Sequence, residues 1–238
     1  MIVLDGCCGG GGTARGLVQA GHTVWGVDTC ERLRADYLAS GAAGFICADI
    51  CDVLASPLTG GVGAVVVGPP CQHYSQMSRC RPGLAAAYPE LITPVRELLD
   101  AAGLPYVIEN VEAARGWLKA PVTLCGWGFG REMYRHRLFE AGGGLVLGQP
   151  PQPPEGTPGR RRSCGWPHPV PVARAGHWAP GRFVSVAGHE RREPVRRVME
   201  IDWIRDREDV AEAVPPYMAR WVGEQLARYD AAGSRRAH

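Results

Sequence analysis

Ala64-Val65-Val66-Val67-Gly68-Pro69-Pro70-Cys71-Gln72 is an apolar run halted by two prolines and followed at once by a thiol. The run reads as a buried strand. Neither proline can donate to a sheet ladder, and each holds the residue before it extended, so the strand stops there. Cys71 is thereby presented on a stiff turn at a strand's carboxyl end, the edge at which open α/β sheets bind ligands. Taken alone, such a cysteine reads as a buried free thiol. Its company in the chain gives it another meaning.

Around this stretch, residues 1–140 alternate short apolar runs with helical patterns. Strands are expected at 2–5, 23–27, 44–48, 63–67 and 105–109, with helices near 13–20, 30–39 and 91–102. That alternation predicts an α/β domain, a doubly wound and mostly parallel sheet covered on both faces. The chain opens inside the first strand, so the C-terminus is expected to cover the edge left there. From 141 to 193 the character changes to Gly, Pro, Arg and His, with an extended Gln149–Pro154. Arg160, Arg161, Arg162, Arg174, Arg182, Arg191 and Arg192 face only Glu155, Glu190 and Glu193 there. Patterning returns at 194–230, where Pro215-Pro216 starts a helix with an apolar stripe through Met218, Trp221, Val222 and Leu226. The expected organisation is a core at 1–140, a small irregular recognition lobe at 141–193, and a segment at 194–238 that returns to complete the core.

A chain of 238 residues suits one domain, with at most a small extra lobe. A formal net charge of +2 excludes a global polycation. Lys119 is the only lysine, a bias that a GC-rich genome produces. Nine scattered cysteines without repeated Cys-x-x-Cys pairs argue for a reducing compartment. With no targeting segment and no apolar run of the ~18 residues that a membrane helix needs, a soluble, cytoplasmic monomer is expected. Cys164, His168, His177 and His189 are spaced too irregularly for a zinc site, and no metal is expected.

Asp5-Gly6-Cys7-Cys8-Gly9-Gly10-Gly11-Gly12 ends the first strand and runs into a helix from Thr13. Such a turn lets backbone approach a small molecule at a helix amino-terminus, as in proteins of NAD, FAD or S-adenosylmethionine. Arg15 stands where the dinucleotide fingerprint needs its third glycine. Asp28 ends the second strand, where a carboxylate can accept from ribose hydroxyls. Asp49 either meets an adenine amino group or caps a helix. Glu109 closes the fifth strand on the same edge as Cys71, and a carboxylate there is costly unless paired or useful. Arg135 and Arg137 alternate, which on an extended chain puts both on one face.

In that order, Asp5…Gly12, Asp28, Asp49, Gly68-Pro69-Pro70-Cys71-Gln72, Glu109-Asn110-Val111, Arg135-x-Arg137 and Ala213-Val214-Pro215-Pro216 resemble the motif series of the cytosine-5 DNA methyltransferases. The likeness is strongest to compact forms carried by actinobacterial phages and prophages, for which protection of phage DNA from restriction is a plausible purpose. The resemblance implies the class I S-adenosylmethionine-dependent methyltransferase fold and double-stranded DNA as partner. It gives Cys71 the attack on carbon 6 of a flipped cytosine, Glu109 the contact with ring nitrogen 3 and the exocyclic amine, and Arg137, helped by Arg135, the ring carbonyl or a phosphate. S-adenosyl-L-methionine would lie against Asp5, Cys7, Gly9, Gly11, Gly12, Asp28, Asp49, Ile50, Pro69 and Val214. Gln72, Ser75, Arg79, Arg81, Arg160, Arg161 and Arg162 would meet nucleic acid. Two departures stand out: Gly6-Cys7 replaces the usual Leu-Phe, and His73-Tyr74 the usual Gly-Phe. A tRNA cytosine-5 methyltransferase and a non-catalytic nucleic-acid-binding relative are the alternatives. A nicotinamide oxidoreductase leaves Cys71 and Glu109 unexplained. So short a recognition lobe predicts a target of about two to four base pairs, since each good bidentate base contact discriminates by only about 1–3 kcal/mol.

Overall fold

Ile2–Gly6 (β1) is an interior strand of a seven-stranded sheet in the computed structural model, which describes residues 1–57, 61–74, 88–152, 160–161, 167–168, 184–185 and 192–234. Its parallel neighbours are Thr23–Asp28 (β2) and Val62–Val67 (β4). Gly44–Cys47 (β3) pairs in parallel beyond β2, and Tyr106–Asn110 (β5) beyond β4. After the two-residue strand Met133–Tyr134 (β7), His136–Gly142 (β8) runs antiparallel between β5 and Val122–Cys125 (β6). The order is β3-β2-β1-β4-β5-β8-β6. The chain moves outward from β1 to β3, then jumps back to β4 and outward the other way. β1 and β4 therefore flank a topological switch point, where open sheets leave a crevice at their carboxyl ends.

All five expected strands are present, with ends shifted by one residue at most. Both faces of the sheet are covered because its central strands carry apolar side chains on both sides, polar ones entering only near the carboxyl ends of β1 and β5. Val3, Val24 and Val66 pack on one side with Leu17 of helix Gly12–Gln19 (α1) and with Met218, Val222 and Leu226 of helix Pro216–Ser234 (α7). Leu4, Val65, Val67 and Ile108 pack on the other with Leu54 of helix Ile50–Ala55 (α3) and with Ile92, Val95 and Leu99 of helix Ile92–Ala102 (α4). Each such side chain contributes about 1.5–3 kcal/mol on burial.

The first strand is interior and leaves no edge to cover; β3 and β6 are the edges. The C-terminal helix instead lies on α1. The two helices approach so closely that a Cβ at Gly16 would stand 2.2 Å from the Pro216 carbonyl oxygen. Helix Arg34–Ala39 (α2) follows β2. β6 and α3, and helices Arg192–Met199 (α5) and Arg207–Glu212 (α6), are short elements that the periodicity did not resolve. A buried bidentate pair fixes β8: Arg96 of α4 donates to both Glu140 oxygens at 2.6 and 2.8 Å. The Lys119 amide adds a third bond to the same carboxylate, at 2.7 Å.

Candidate active site

A cleft of about 340 Å³ opens at the carboxyl ends of β1, β2, β4 and β5. Its volume falls in the range of small-molecule sites. The chain leaves β1 through Cys7 (φ 52°) and Gly9 (φ 54°), both left-handed, before entering α1. For Cys7 that conformation costs about 1–2 kcal/mol. Asp28 at the end of β2 offsets part of this cost. One carboxylate oxygen accepts from the Gly9 amide at 3.0 Å and the other from the Cys30 amide at 2.9 Å. Below the turn, Asp5 is buried and accepts from the Tyr37 hydroxyl at 3.3 Å. Burial raises its pKa first, the Tyr37 bond opposes, and Asp28 adds to the rise. The far wall comes from the other end of the chain. The Val214 carbonyl oxygen presses on the turn so tightly that a Cβ at Gly12 would stand 2.2 Å from it.

Across the switch point, the prolines lead into a short helical turn, Cys71–His73. The side-chain amide of Asn110, last residue of β5, donates to the Pro69 carbonyl at 2.9 Å and so ties this turn to β5. Glu109, one residue earlier, is only 8% exposed yet lines the cleft. Arg137 of β8 brings its Nε within 2.9 Å of Glu109 Oε1. The contact is an ion pair without hydrogen-bond alignment, since that oxygen makes no hydrogen bond. Burial pushes the Glu109 carboxyl up, against Arg137 and then Arg135, which favours its protonated form relative to a free carboxylate. Burial likewise pushes the Cys71 thiol up; Arg137 pulls it down, and Glu212 and Glu109 push it up again. Without substrate the thiol is neutral at neutral pH.

Asp5, Cys7, Gly9, Gly12, Asp28, Pro69, Cys71, Gln72, Glu109, Arg137 and Val214 line this one cleft. Gly11, Asp49, Ile50 and Arg135 do not. Gly11 backs onto Ser40. Asp49 caps α3, accepting from the Cys51 amide at 2.7 Å, and Ile50 is buried against Gly6. Arg135 is buried beneath the cleft and donates to the Ala211 and Ala213 carbonyls at 2.6 and 2.8 Å. Burial first, and Arg137 second, lower its pKa to about 9, so it is a cation at neutral pH. Ser75, Arg79, Arg81 and Arg162 lie outside the described residues, as do Cys164, His177 and His189. Arg160–Arg161 (β9) pairs antiparallel with Pro167–His168 (β10).

The sequence reading missed Tyr88, Arg32, Asp209 and Glu212, all of which line the cleft. Arg32 binds Asp209 in bidentate fashion at 2.6 and 2.9 Å across 177 residues, a pairing that no local pattern reveals. Glu212 carries the one available hint, its place just before Ala213-Val214-Pro215-Pro216. Among the described residues no three His, Cys, Asp or Glu side chains gather as a metal site, and no helix is long and apolar enough to cross a membrane.

No family model matches the chain, and no curated protein matches it. Solved structures do. One, described as a DNA modification methyltransferase encoded within a prophage (E. coli), matches with a TM-score of 0.64 at 14% identity, over 96% of this chain and 99% of that one. A triple mutant of DNMT2 from Spodoptera frugiperda matches with a TM-score of 0.58 at 13% identity, over 94% and 99%. At such identities the likeness is one of fold, and the chain has the α/β fold of these methyltransferases.

Proposed function

We propose that the protein is a DNA cytosine-5 methyltransferase that uses S-adenosyl-L-methionine and a covalent Cys71 adduct. One observation carries the reading: Cys71, Glu109 and Arg137, from three separate strand ends, meet in the cleft that also holds the glycine turn and Asp28. The glycine-turn side fits the cofactor. Its backbone is open to a ligand, Asp28 presents a carboxylate to ribose hydroxyls, and Pro69 and Val214 supply apolar walls. Bound there, S-adenosylmethionine would supply an electrophilic methyl group.

The residues of this chain prepare the base to receive it. Carbon 5 of cytosine is too weak a nucleophile unaided. Addition of the Cys71 thiolate to carbon 6 makes the ring an enamine. Glu109, with its raised pKa, holds a proton at ring nitrogen 3 as electron density moves there and reads the exocyclic amine. Arg137 stabilises developing negative charge at the ring carbonyl and draws the thiol toward ionisation. A stacked base exposes none of these atoms, so a duplex must give up its cytosine to the cleft. The likeness to a prophage-encoded DNA modification methyltransferase and to DNMT2 supports the reading, and the first also supports a mobile-element setting.

Duplex DNA of mixed sequence and a tRNA transcript, each incubated with methyl-labelled cofactor and digested to nucleosides, test this directly. Label is expected in 5-methyldeoxycytidine. Label on an exocyclic nitrogen, or in the RNA alone, would refute the proposal.

A further inference from the structure

The cleft contains a carboxylate beside the thiol to which the reading above gives no task. Glu212 ends α6 and opens onto the cleft, and its Oε1 accepts from the side-chain amide of Gln72, next to Cys71, at 3.2 Å. The Arg135 guanidinium holds the carbonyls of the residues on either side, Ala211 and Ala213. The Arg32–Asp209 pair seats the same helix. Glu212 is thus fixed from three elements against the side of the cleft that carries the nucleophile.

We propose that Glu212 accepts the proton that leaves carbon 5 of cytosine, an inference that rests on the cytosine-5 reading. In that reaction sulfur is bonded to carbon 6 while the proton departs from the adjacent ring atom, so the acceptor must stand beside the thiol. Five carboxylates line the cleft, and four are committed. Asp28 holds two backbone amides, Asp209 holds Arg32, Glu109 is paired with Arg137, and Asp5 is buried under the turn against Tyr37. Glu212 is bonded through one oxygen to a neutral amide. Withdrawal from water, then Asp209 and Glu208, raise its pKa against Arg32 and Arg135, which strengthens it as a proton acceptor. The balance is simple. The carbon 5–hydrogen bond breaks and its electron pair forms the carbon 5–carbon 6 double bond. The carbon–sulfur bond breaks with its pair returning to Cys71 as thiolate. The proton passes to Glu212 and then to water.

Duplex DNA with 5-fluorocytosine at every cytosine separates this step from those before it, because fluorine cannot leave as a proton does. With S-adenosylmethionine present, Glu212→Gln should form the covalent adduct within about twofold of the wild-type rate. Its turnover on ordinary DNA should fall by about 10²-fold or more, the lower range for general base catalysis. Glu212→Asp should recover part of the turnover with the adduct rate unchanged, which a merely structural role would not produce. Wild-type turnover in Glu212→Gln, or adduct formation reduced as much as turnover in both variants, overturns the assignment. Failure of the wild type to form any adduct overturns the cytosine-5 reading, and the inference with it.

Discussion

On the glycine-turn side of the cleft, residues adjacent in sequence or in the sheet hold one another, and only the outer wall, at Val214, comes from far along the chain. β1 ends, Cys7 and Gly9 turn, and Asp28 from the next strand ties down the Gly9 amide. On the thiol side the partners are far apart in sequence, although β4, β5 and β8 are neighbours in the sheet. Cys71, Glu109, Arg137 and Glu212 arrive from four segments spread over 140 residues, and Asn110 and Arg135 splice them together through main-chain carbonyls. A binding surface can be built from backbone turns. A reacting centre needs charged side chains placed against one another, and the sheet edge is where distant strands deliver them.

Replacing Cys71 with Ala should have the largest effect. Methyl transfer should drop by about 10⁴-fold or more, as when a covalent nucleophile is removed, with cofactor binding by calorimetry unchanged. Loss of cofactor binding as well would show that the two walls are not independent. Arg135→Ala should come next. It leaves two carbonyls without their charged donor, at about 1–3 kcal/mol each, so the urea midpoint should fall sharply. An unchanged midpoint would remove Arg135 as the splice. Asp28→Ala should weaken S-adenosylmethionine binding by about 1–3 kcal/mol, read by calorimetry, while the rate at saturating cofactor holds. The turn itself can be probed with a pair. Cys7→Gly should be more stable than Cys7→Ala by about 1 kcal/mol in thermal unfolding, because only Gly relieves the left-handed backbone.

The smallest effect concerns the thiol's titration. Its pKa is raised, so the thiolate forms only as pH climbs past the ordinary value of about 8.5. Alkylation of Cys71 by iodoacetamide, followed by peptide mass spectrometry, should therefore accelerate at higher pH than a free thiol. Arg137→Gln removes the cation that opposes the shift and should move the profile further up. A downward move would mean that Arg137 does not face the sulfur.

The sequence alone determined the sheet. The run Val65-Val66-Val67, short, β-branched and stopped by Pro69-Pro70, reads as a buried strand, and alternation with helices leaves a parallel α/β arrangement as the economical way to cover both faces. It also determined the roster of reactive side chains at strand ends, because Cys71, Glu109 and Asp28 each stand where an apolar run stops. Tertiary structure decided which of them share a cleft. Asp49 had two open readings, and the fold uses it as a helix cap. Arg135 and Arg137 alternate as expected, yet the strand begins at His136, so Arg137 reaches Glu109 while Arg135 turns under the cleft to main-chain carbonyls. Glu212 was overlooked, despite its place just before Ala213-Val214, because a charged residue at the end of a six-residue helix looks like any solvated surface. Only the packing of α7 on α1, which brings Val214 against Gly12, carries it to the thiol. Local sequence sets dihedral preference and periodicity, which are short-range. The meeting of residues 71 and 212 depends on how whole elements bury their apolar faces, and that is settled by the sum of many contacts rather than by either segment.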